Sequence, residues 1–323
     1  LNLLVNEKQN ICCVGDDDQS IYSWRGAEIK NFLTFDKIYK NCKVFKLEQN
    51  YRSTKNILDT ASFLISHNKD RLGKKLWTED DKGELVKLNC YKNGKEEARG
   101  VGRVLEENIK QNNSLNDIAI LVRAIYQTRE FEERFLKIGM NYRIVGGIKF
   151  YERAEVKDAV CYLRIVNQKF DDLAFERIIN TPRRGIGETT IKQLYEFSSK
   201  NKICLEDSAR KILELNKFKP KTRLLIKHLL ELINKWRSDL KKMKHYDLLK
   251  IILDESGYSA MLKNKKDLDN ENKLENIKEL LSAMKEFDTL ESFLEHVSLA
   301  TSIDQDWEGQ KVNLMTMHAS KGL

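Results

Sequence analysis

Val312-Asn313-Leu314-Met315-Thr316-Met317-His318-Ala319-Ser320-Lys321-Gly322-Leu323 closes the chain, and its first four residues, three apolar and one amide, form a short stretch of strand type. A run of this length that ends in a polar cluster reads as a buried strand. What comes before it decides the architecture. Between about 42 and 146 the pattern alternates: strand over Lys43 to Leu47, helix over Lys55 to Asn68, strand over Leu85 to Tyr91, helix over Glu96 to Asn108, strand over Ile118 to Val122, helix over Arg129 to Lys137, strand over Tyr142 to Val145. Such alternation predicts a parallel sheet flanked by helices. After Gly146-Gly147 the strand pattern stops, and helical periodicity runs to roughly 300. Leu225, Leu229, Leu232, Ile233, Trp236, Leu240 and Met243 share one helical face, and Leu274, Ile277, Leu280, Leu281, Met284 and Phe287 share another. These stripes are core-forming faces. The strand at Val312 to Met315 therefore implies one α/β domain that is interrupted by a helical insertion and then resumed, with Asp304 to Gly309 as the returning hinge.

A chain of 323 residues with 41% hydrophobic content is long enough for two domains with substantial cores. The net charge of +8 and a pI near 9.0 favour a polyanionic partner. No apolar run approaches the ~20 residues that a membrane helix requires, and the N-terminus has no signal-peptide pattern. A cytoplasmic location is expected. The six cysteines, at 12, 13, 42, 90, 161 and 204, have no metal-ligand spacing and are expected to be buried, reduced thiols. Gly100 and Gly102 form a G-x-G inside a helical stretch with no third glycine, which does not fit a dinucleotide fingerprint. G-x-x-x-x-G-K-[ST] does not occur; Gly73-Lys74-Lys75 lacks both the upstream glycine and the hydroxyl residue.

The chemistry concentrates at Val14-Gly15-Asp16-Asp17-Asp18-Gln19-Ser20-Ile21-Tyr22-Ser23-Trp24-Arg25-Gly26-Ala27. The apolar run Ile11 to Val14 reads as a buried strand that feeds a functional loop, with a short helix following around Ile29 to Tyr39. A side-chain amide can donate to a phosphate oxygen, and a Trp beside an Arg offers a base a stacking face next to a phosphate contact. Alternatively, Trp24 anchors a local core. The aspartates 16 to 18 are read as turn and capping residues.

VGDDDQSIYSWRGA resembles motif III of the UvrD/Rep/PcrA-type superfamily 1 DNA helicases, LEQNYRST at 47 to 54 resembles their motif IV, and VNLMTMHASKGL at 312 to 323 the start of their motif V. YRIVGGIKFYERAEVKD at 142 to 158 and TPRRGIGETT at 181 to 190 extend the resemblance over nearly the whole chain. It implies a RecA-like parallel-sheet motor domain interrupted by an all-α insertion of 2B type. The expected domains are 1–41, the tail of a first motor domain; 42–146, the first part of the second; 147–310, the helical insertion; and 311–323, the second motor domain resumed. The resemblance also implies a fragment without Walker A, Walker B and motif VI, which by itself is inactive.

It further assigns roles. Gln19 resembles the γ-phosphate sensor, Arg52 the arginine finger and Tyr51 the adenine-stacking residue, with ATP and Mg²⁺ as cofactors whose binding needs segments outside the chain. Ser53-Thr54 also reads as the cap of a helix start, and both readings can hold. For single-stranded DNA the resemblance points to Trp24 as the stacking platform, with Tyr22, Arg25 and His318, and to Arg123, although the Asn usual two residues later is Ile125 here. For the duplex it points to Arg183, Arg184, Gly185, Gly187 and Thr190, where the alternative is a plain helix-turn-helix corner. The expected activity is ATP-dependent, 3′-to-5′ DNA unwinding with a repair role, acting on single strands and single-strand/duplex junctions. A non-catalytic DNA-binding protein and the helicase part of a helicase-nuclease are the rivals.

Overall fold

The computed structural model describes residues 10–23, 26–39, 41–69, 71–216, 218–264, 268–302 and 309–322. Two compact units result, Leu1–Cys90 and Tyr91–Leu323.

The second unit contains the sheet. Its strands are β1 (Ala119–Val122), β2 (Tyr142–Val145) and β3 (Val312–Thr316), in the order β1-β3-β2 with both pairings parallel. The strand that returns after the insertion thus enters between the two earlier ones, with Leu314 opposite both Ile120 and Ile144. Asn313 holds that position with its side chain as well as its backbone. Its Nδ2 donates to the carbonyls of Asn116 (2.8 Å) and Ile118 (3.1 Å) on one side, and its Oδ1 accepts from Arg143 Nε (2.5 Å) on the other. A buried amide is stable only when its polar atoms are paired, and here it clips β3 to both neighbours. Helices α4 (Gly94–Lys110) and α5 (Thr128–Ile138) form a shared core with the sheet through Ala98, Leu105, Phe131, Phe135, Val122, Val312 and Leu314. Asn93 caps α4 by accepting from Glu96 N–H, and Gly139 ends α5 at φ 64°.

From residue 154 to 302 the unit is helical: α6 (Ala154–Asn167), α7 (Asp172–Ile179), α8 (Glu188–Asn201), α9 (Leu205–Glu214), α10 (Pro220–Leu240), α11 (His245–Glu255), α12 (Tyr258–Lys263), α13 (Leu268–Met284) and α14 (Leu290–Ser302). The two expected stripes form its core. Ile233, Trp236, Leu280 and Met284 are fully buried, and the flanking Leu225, Leu232, Leu274 and Phe287 pack against them. Asp304 to Asp306 and the neighbouring residues of the expected hinge up to 308 lie outside the described residues.

The helical module meets α5 through buried polar groups. Arg153 donates to Thr128 Oγ1 (2.7 Å) and to Asn276 Oδ1 (2.7 Å) and faces Glu132, while Asn276 donates to Glu155 (2.6 Å). Glu133 accepts from Tyr151 (2.7 Å) and pairs with His296 (2.9 Å). Burial pushes the Glu133 carboxyl up, but the His296 and Tyr151 hydrogen bonds outweigh it and hold it below the usual range.

The first unit differs from expectation. It contains α1 (Lys30–Leu33), α2 (Phe35–Ile38) and α3 (Lys55–Ile65). Where one helix was expected over Ile29 to Tyr39 there are two single turns, broken at Thr34, whose hydroxyl donates to the Lys30 carbonyl (2.8 Å). Among the described residues the expected strands Ile11 to Val14, Lys43 to Leu47 and Leu85 to Tyr91 have no strand partner and are largely exposed, with Val14, Phe45 and Leu88 at 86%, 82% and 91%. Among the described residues of this unit the only ladder is a single bridge between Gln49 and Trp77. Apolar patterning gives a segment the ability to sit on a sheet, but a strand forms only where another backbone supplies the hydrogen bonds. The thiols follow suit: Cys161 is buried, Cys42 and Cys204 are half-buried, and Cys12, Cys13 and Cys90 are exposed, although all six are free.

Candidate functional site

The Asp-rich loop is an ionic knot. Asp16 caps the turn Asp17–Gln19 by accepting from Asp18 N–H (3.1 Å), as its expected capping role requires, and also takes the Gln19 amide at 2.7 Å. Arg71 grips Asp18 with both Nε (2.9 Å) and Nη2 (2.6 Å), and Leu72 N–H donates to Asp17 (2.7 Å). The Lys74 ammonium binds Asp16 and lies 3.8 Å from Asp17 and 3.6 Å from Asp18. Burial raises Asp16, but the Lys74 hydrogen bond and charge prevail and lower its pKa. The three carboxylates lie within 4.8 Å of one another. Lys74 already occupies the place of a cation there, so they do not fit a Mg²⁺ site. Sequence reading passed over Lys74 and Arg71. The signal was the acidic triplet itself, which needs nearby cations to be packed together. Gln19 is exposed and Tyr22 is half-buried on the same loop; Trp24 and Arg25 lie outside the described residues.

Tyr51 and Arg52 project from a turn that Asn50 holds. Asn50 Oδ1 accepts from Arg52 N–H (2.9 Å) and Ser53 N–H (2.8 Å), and the Asn50 N–H donates to Trp77 O (2.8 Å). Tyr51 is 80% exposed, with its hydroxyl on Gln49 (2.7 Å). The Arg52 guanidinium is exposed and has no partner among the described residues. The expected Ser53-Thr54 side-chain cap is not made. Thr54 is the N-cap of α3, but its buried Oγ1 has no partner, and the first helical N–H groups, of Lys55 and Asn56, donate instead to the carbonyls of Asp81 (3.2 Å) and Lys82 (3.0 Å). Backbone from a neighbouring segment therefore does the work of the cap and leaves Arg52 outside it.

In the second unit, Arg123 and His318 come together at the carboxyl ends of adjacent parallel strands. Val122 pairs with Thr316, and Met317 N–H donates to Val122 O (2.9 Å), so the residues just beyond β1 and β3 emerge at one edge. Arg123 is exposed and its guanidinium has no partner among the described residues; His318 is half-buried in the turn after β3. Gly146 follows β2 at the same edge. Its φ of 71° and the 3.2 Å between a Cβ there and Ala319 Cβ both call for glycine. Ligands of open α/β sheets bind outside the carboxyl ends of the strands, and this edge carries a cation and an imidazole.

The 181–190 loop divides its arginines. Arg184 turns inward: Nη1 donates to Ile178 O (2.7 Å), and Nη2 donates to Tyr162 Oη (2.7 Å) and Ser256 O (3.2 Å). Asn180 Oδ1 accepts from Arg184 N–H (2.8 Å) and Ile186 N–H (3.3 Å) and fixes the loop from beneath. Arg183 is exposed and has no partner among the described residues. Gly185, at φ 79°, and Gly187, the N-cap of α8, both face open space, and Thr190 N–H donates to Gly187 O (3.0 Å). The loop thus presents one cation and a bare helix start, held in shape by Arg184 and Asn180.

Residues 45–323 match the family UvrD-like helicase C-terminal domain, and residues 1–40 match UvrD/REP helicase N-terminal domain. The chain is 42% identical over 324 residues to a probable DNA helicase II homolog of Rickettsia conorii, covering 99% of this chain and 50% of that protein. It is 39% identical to the ATP-dependent DNA helicase PcrA of Bacillus subtilis (99% and 45% covered) and 38% identical to the DNA helicase II of Haemophilus influenzae (100% and 46%). The chain spans about half the length of the curated relatives it matches.

Proposed function

The chain belongs to the UvrD-like helicase family, and from that premise we propose that it is part of an ATP-dependent DNA helicase that moves 3′ to 5′ along a single strand, unwinds duplex at junctions and serves DNA repair. The observation that carries the proposal is the placement of Arg123 and His318 just beyond adjacent strands at the carboxyl edge of a parallel sheet whose central strand runs into the His318 turn. An exposed guanidinium and an imidazole at one sheet edge suit a polynucleotide, the first for a phosphate and the second for a base face or a phosphate. Trp24, Tyr22 and Arg25 are assigned to the same strand, and Arg183 with Gly185, Gly187 and Thr190 to the duplex backbone. Arg184 supports that contact by shaping the loop.

We assign ATP to the exposed groups of the Asn50 turn and to Gln19 of the Asp-rich loop. Tyr51 offers an adenine a stacking face, Arg52 a charge for the phosphoryl group in transfer, and Gln19 an amide that reports the γ-phosphate without adding charge. When bound, ATP supplies the free energy for translocation. G-x-x-x-x-G-K-[ST] does not occur in residues 1–323, so the phosphates are assigned to a segment outside them.

The test is strand displacement by the complete protein on duplexes with a 3′ or a 5′ single-stranded tail. ATP-dependent unwinding of the 3′-tailed substrate is expected, with no ATP hydrolysis by residues 1–323 alone. Strand binding without unwinding would establish a DNA-binding protein instead, and unwinding restricted to 5′ tails would reverse the polarity.

A further inference from the structure

Helix α4 carries Gly100 and Gly102 in its interior, both buried, although glycine is among the poorest helix formers. Their environment explains them. A Cβ at Gly100 would collide with the Tyr91 ring, and one at Gly102 would come within 2.9 Å of Arg134 Nε and 3.2 Å of its Cγ. The two glycines therefore let Tyr91 and Arg134 lie flat against the helix. With Glu96, Arg99 and Arg103 these residues line a groove of about 450 Å³ on the flank of α4 and α5.

The groove is under-satisfied. Arg134 Nε is buried without a partner, and its Nη2 comes only to 3.8 Å from Glu106. Arg99 and Arg103, one helical turn apart on α4, have no hydrogen-bond or ion-pair partner among the described residues. Tyr91 is 38% exposed. Three guanidiniums against the one lining carboxylate of Glu96 make an anion site, and planar guanidinium forks match phosphate oxygens. An acidic peptide would satisfy the charges but would have no use for an aromatic face flattened beside them.

We propose that this groove holds one nucleotide of a single-stranded nucleic acid, its phosphate on Arg99, Arg103 and Arg134 and its base against Tyr91. The site lies on the helical flank of the sheet, apart from the strand ends that carry Arg123 and His318, and it rests on the reading of the chain as a DNA-binding protein.

The experiment is ultraviolet cross-linking of the 323-residue chain to an oligothymidylate that contains 5-iododeoxyuridine, with adducts mapped by peptide mass spectrometry. An adduct at Tyr91 is expected. The double variant Arg99→Gln, Arg103→Gln should lower it at least fivefold by order of magnitude and reduce the log-log salt slope of binding by about 1.4, at ~0.7 per single-strand phosphate. Gly100→Ala, a better helix former, should displace the ring and remove the adduct while the slope stays unchanged. Adducts at Trp24 or His318 with none at Tyr91, and an unaltered slope in the double variant, would overturn this inference and leave the helicase reading standing. Absence of all binding to the oligonucleotide would overturn both. Suppression of Tyr91 adduct formation by polyglutamate but not by thymidine monophosphate would assign the groove to an acidic peptide and overturn the nucleotide.

Discussion

Leu1–Cys90 and Tyr91–Leu323 have the same kind of sequence and different kinds of structure. Phe45, Leu47 and Leu88 are as strand-like as Val312, Leu314 and Met315, yet the first three are exposed and the last three are buried between paired neighbours. Among the described residues of the first unit only Tyr39 and Leu58 are buried apolar side chains, and its order comes from polar clips: Lys74 and Arg71 on the aspartates, Asn50 on the turn, carbonyls of 81 and 82 on α3. The second unit has two apolar clusters and adds polar clips where they join. The lesson is that apolar alternation reports a capacity, which a partner surface turns into burial. Function divides along the same line, since a group that holds nothing together is free to act on a ligand.

Arg52 tests this most severely. Because its guanidinium has no partner among the described residues, Arg52→Ala in the complete protein is expected to leave stability unchanged while slowing ATP turnover by about 10³ to 10⁵, as loss of an arginine finger does. Steady-state hydrolysis and thermal melting decide it together. Normal turnover would show that Arg52 does not act on the phosphoryl group.

The next effect contrasts two leucines. Leu314 is fully buried in the central strand, so Leu314→Ala should destabilise the chain by about 2–5 kcal/mol, whereas Leu88→Ala, at 91% exposure, should change stability by no more than about 0.5 kcal/mol. Urea unfolding of both variants measures the difference. A Leu88 effect as large as that of Leu314 would mean that Leu88 is covered in solution and would erase the contrast.

The same contrast explains what could be read from the residues. The return of the sheet at Val312 was legible because a short strand-type stretch, Val312 to Met315, stood alone after a long helical stretch, and the helical stripes were legible because a 3.6-residue period persists through Leu225 to Met243. The partners of a strand are not written in the strand itself, so the lack of a strand partner for 43–47 and 85–91 among the described residues was not legible. Long-range polar pairs were hidden for a related reason. Nothing local to Asp18 names Arg71, 53 residues away, and nothing local to Arg184 says that its guanidinium meets Ser256, 72 residues on. Arg183 and Arg184 are identical neighbours in sequence, and only the fold separates them.

Glu133 gives a pH test of the polar junction in the second unit. Its folded pKa is lowered, so the pair with His296 and Tyr151 contributes stability that is present above the unfolded carboxylate pKa and lost as pH falls through the lower folded value. Glu133→Gln should therefore be less stable than the parent by about 1.5–3 kcal/mol at neutral pH, the range for hydrogen bonds to charged groups, with the gap closing below about pH 4. A gap that does not vary with pH would show that the carboxylate charge is irrelevant there.

The smallest effect separates the two loop arginines. Arg183 is exposed and has no partner among the described residues, so Arg183→Ala should remove one duplex phosphate contact, lower affinity about equally for all sequences and reduce the log-log salt slope by about 0.9. Folding stability should not change. Arg184 donates to the carbonyls of Ile178 and Ser256 and to Tyr162, so Arg184→Ala should instead leave those buried acceptors short of a donor and destabilise the loop. Its duplex affinity should fall because the loop loses its shape, and osmolyte stabilisation of the variant should restore that affinity, which it cannot do for Arg183→Ala. Single-strand affinity should stay constant in both, because neither residue lies among the groups assigned to the strand. The measurement is a salt titration of each variant with a single strand and with a single-strand/duplex junction. An unchanged slope for Arg183→Ala on the junction would remove the loop from duplex binding, and a slope change confined to Arg184→Ala would mean that its guanidinium leaves the carbonyls for a phosphate when DNA binds.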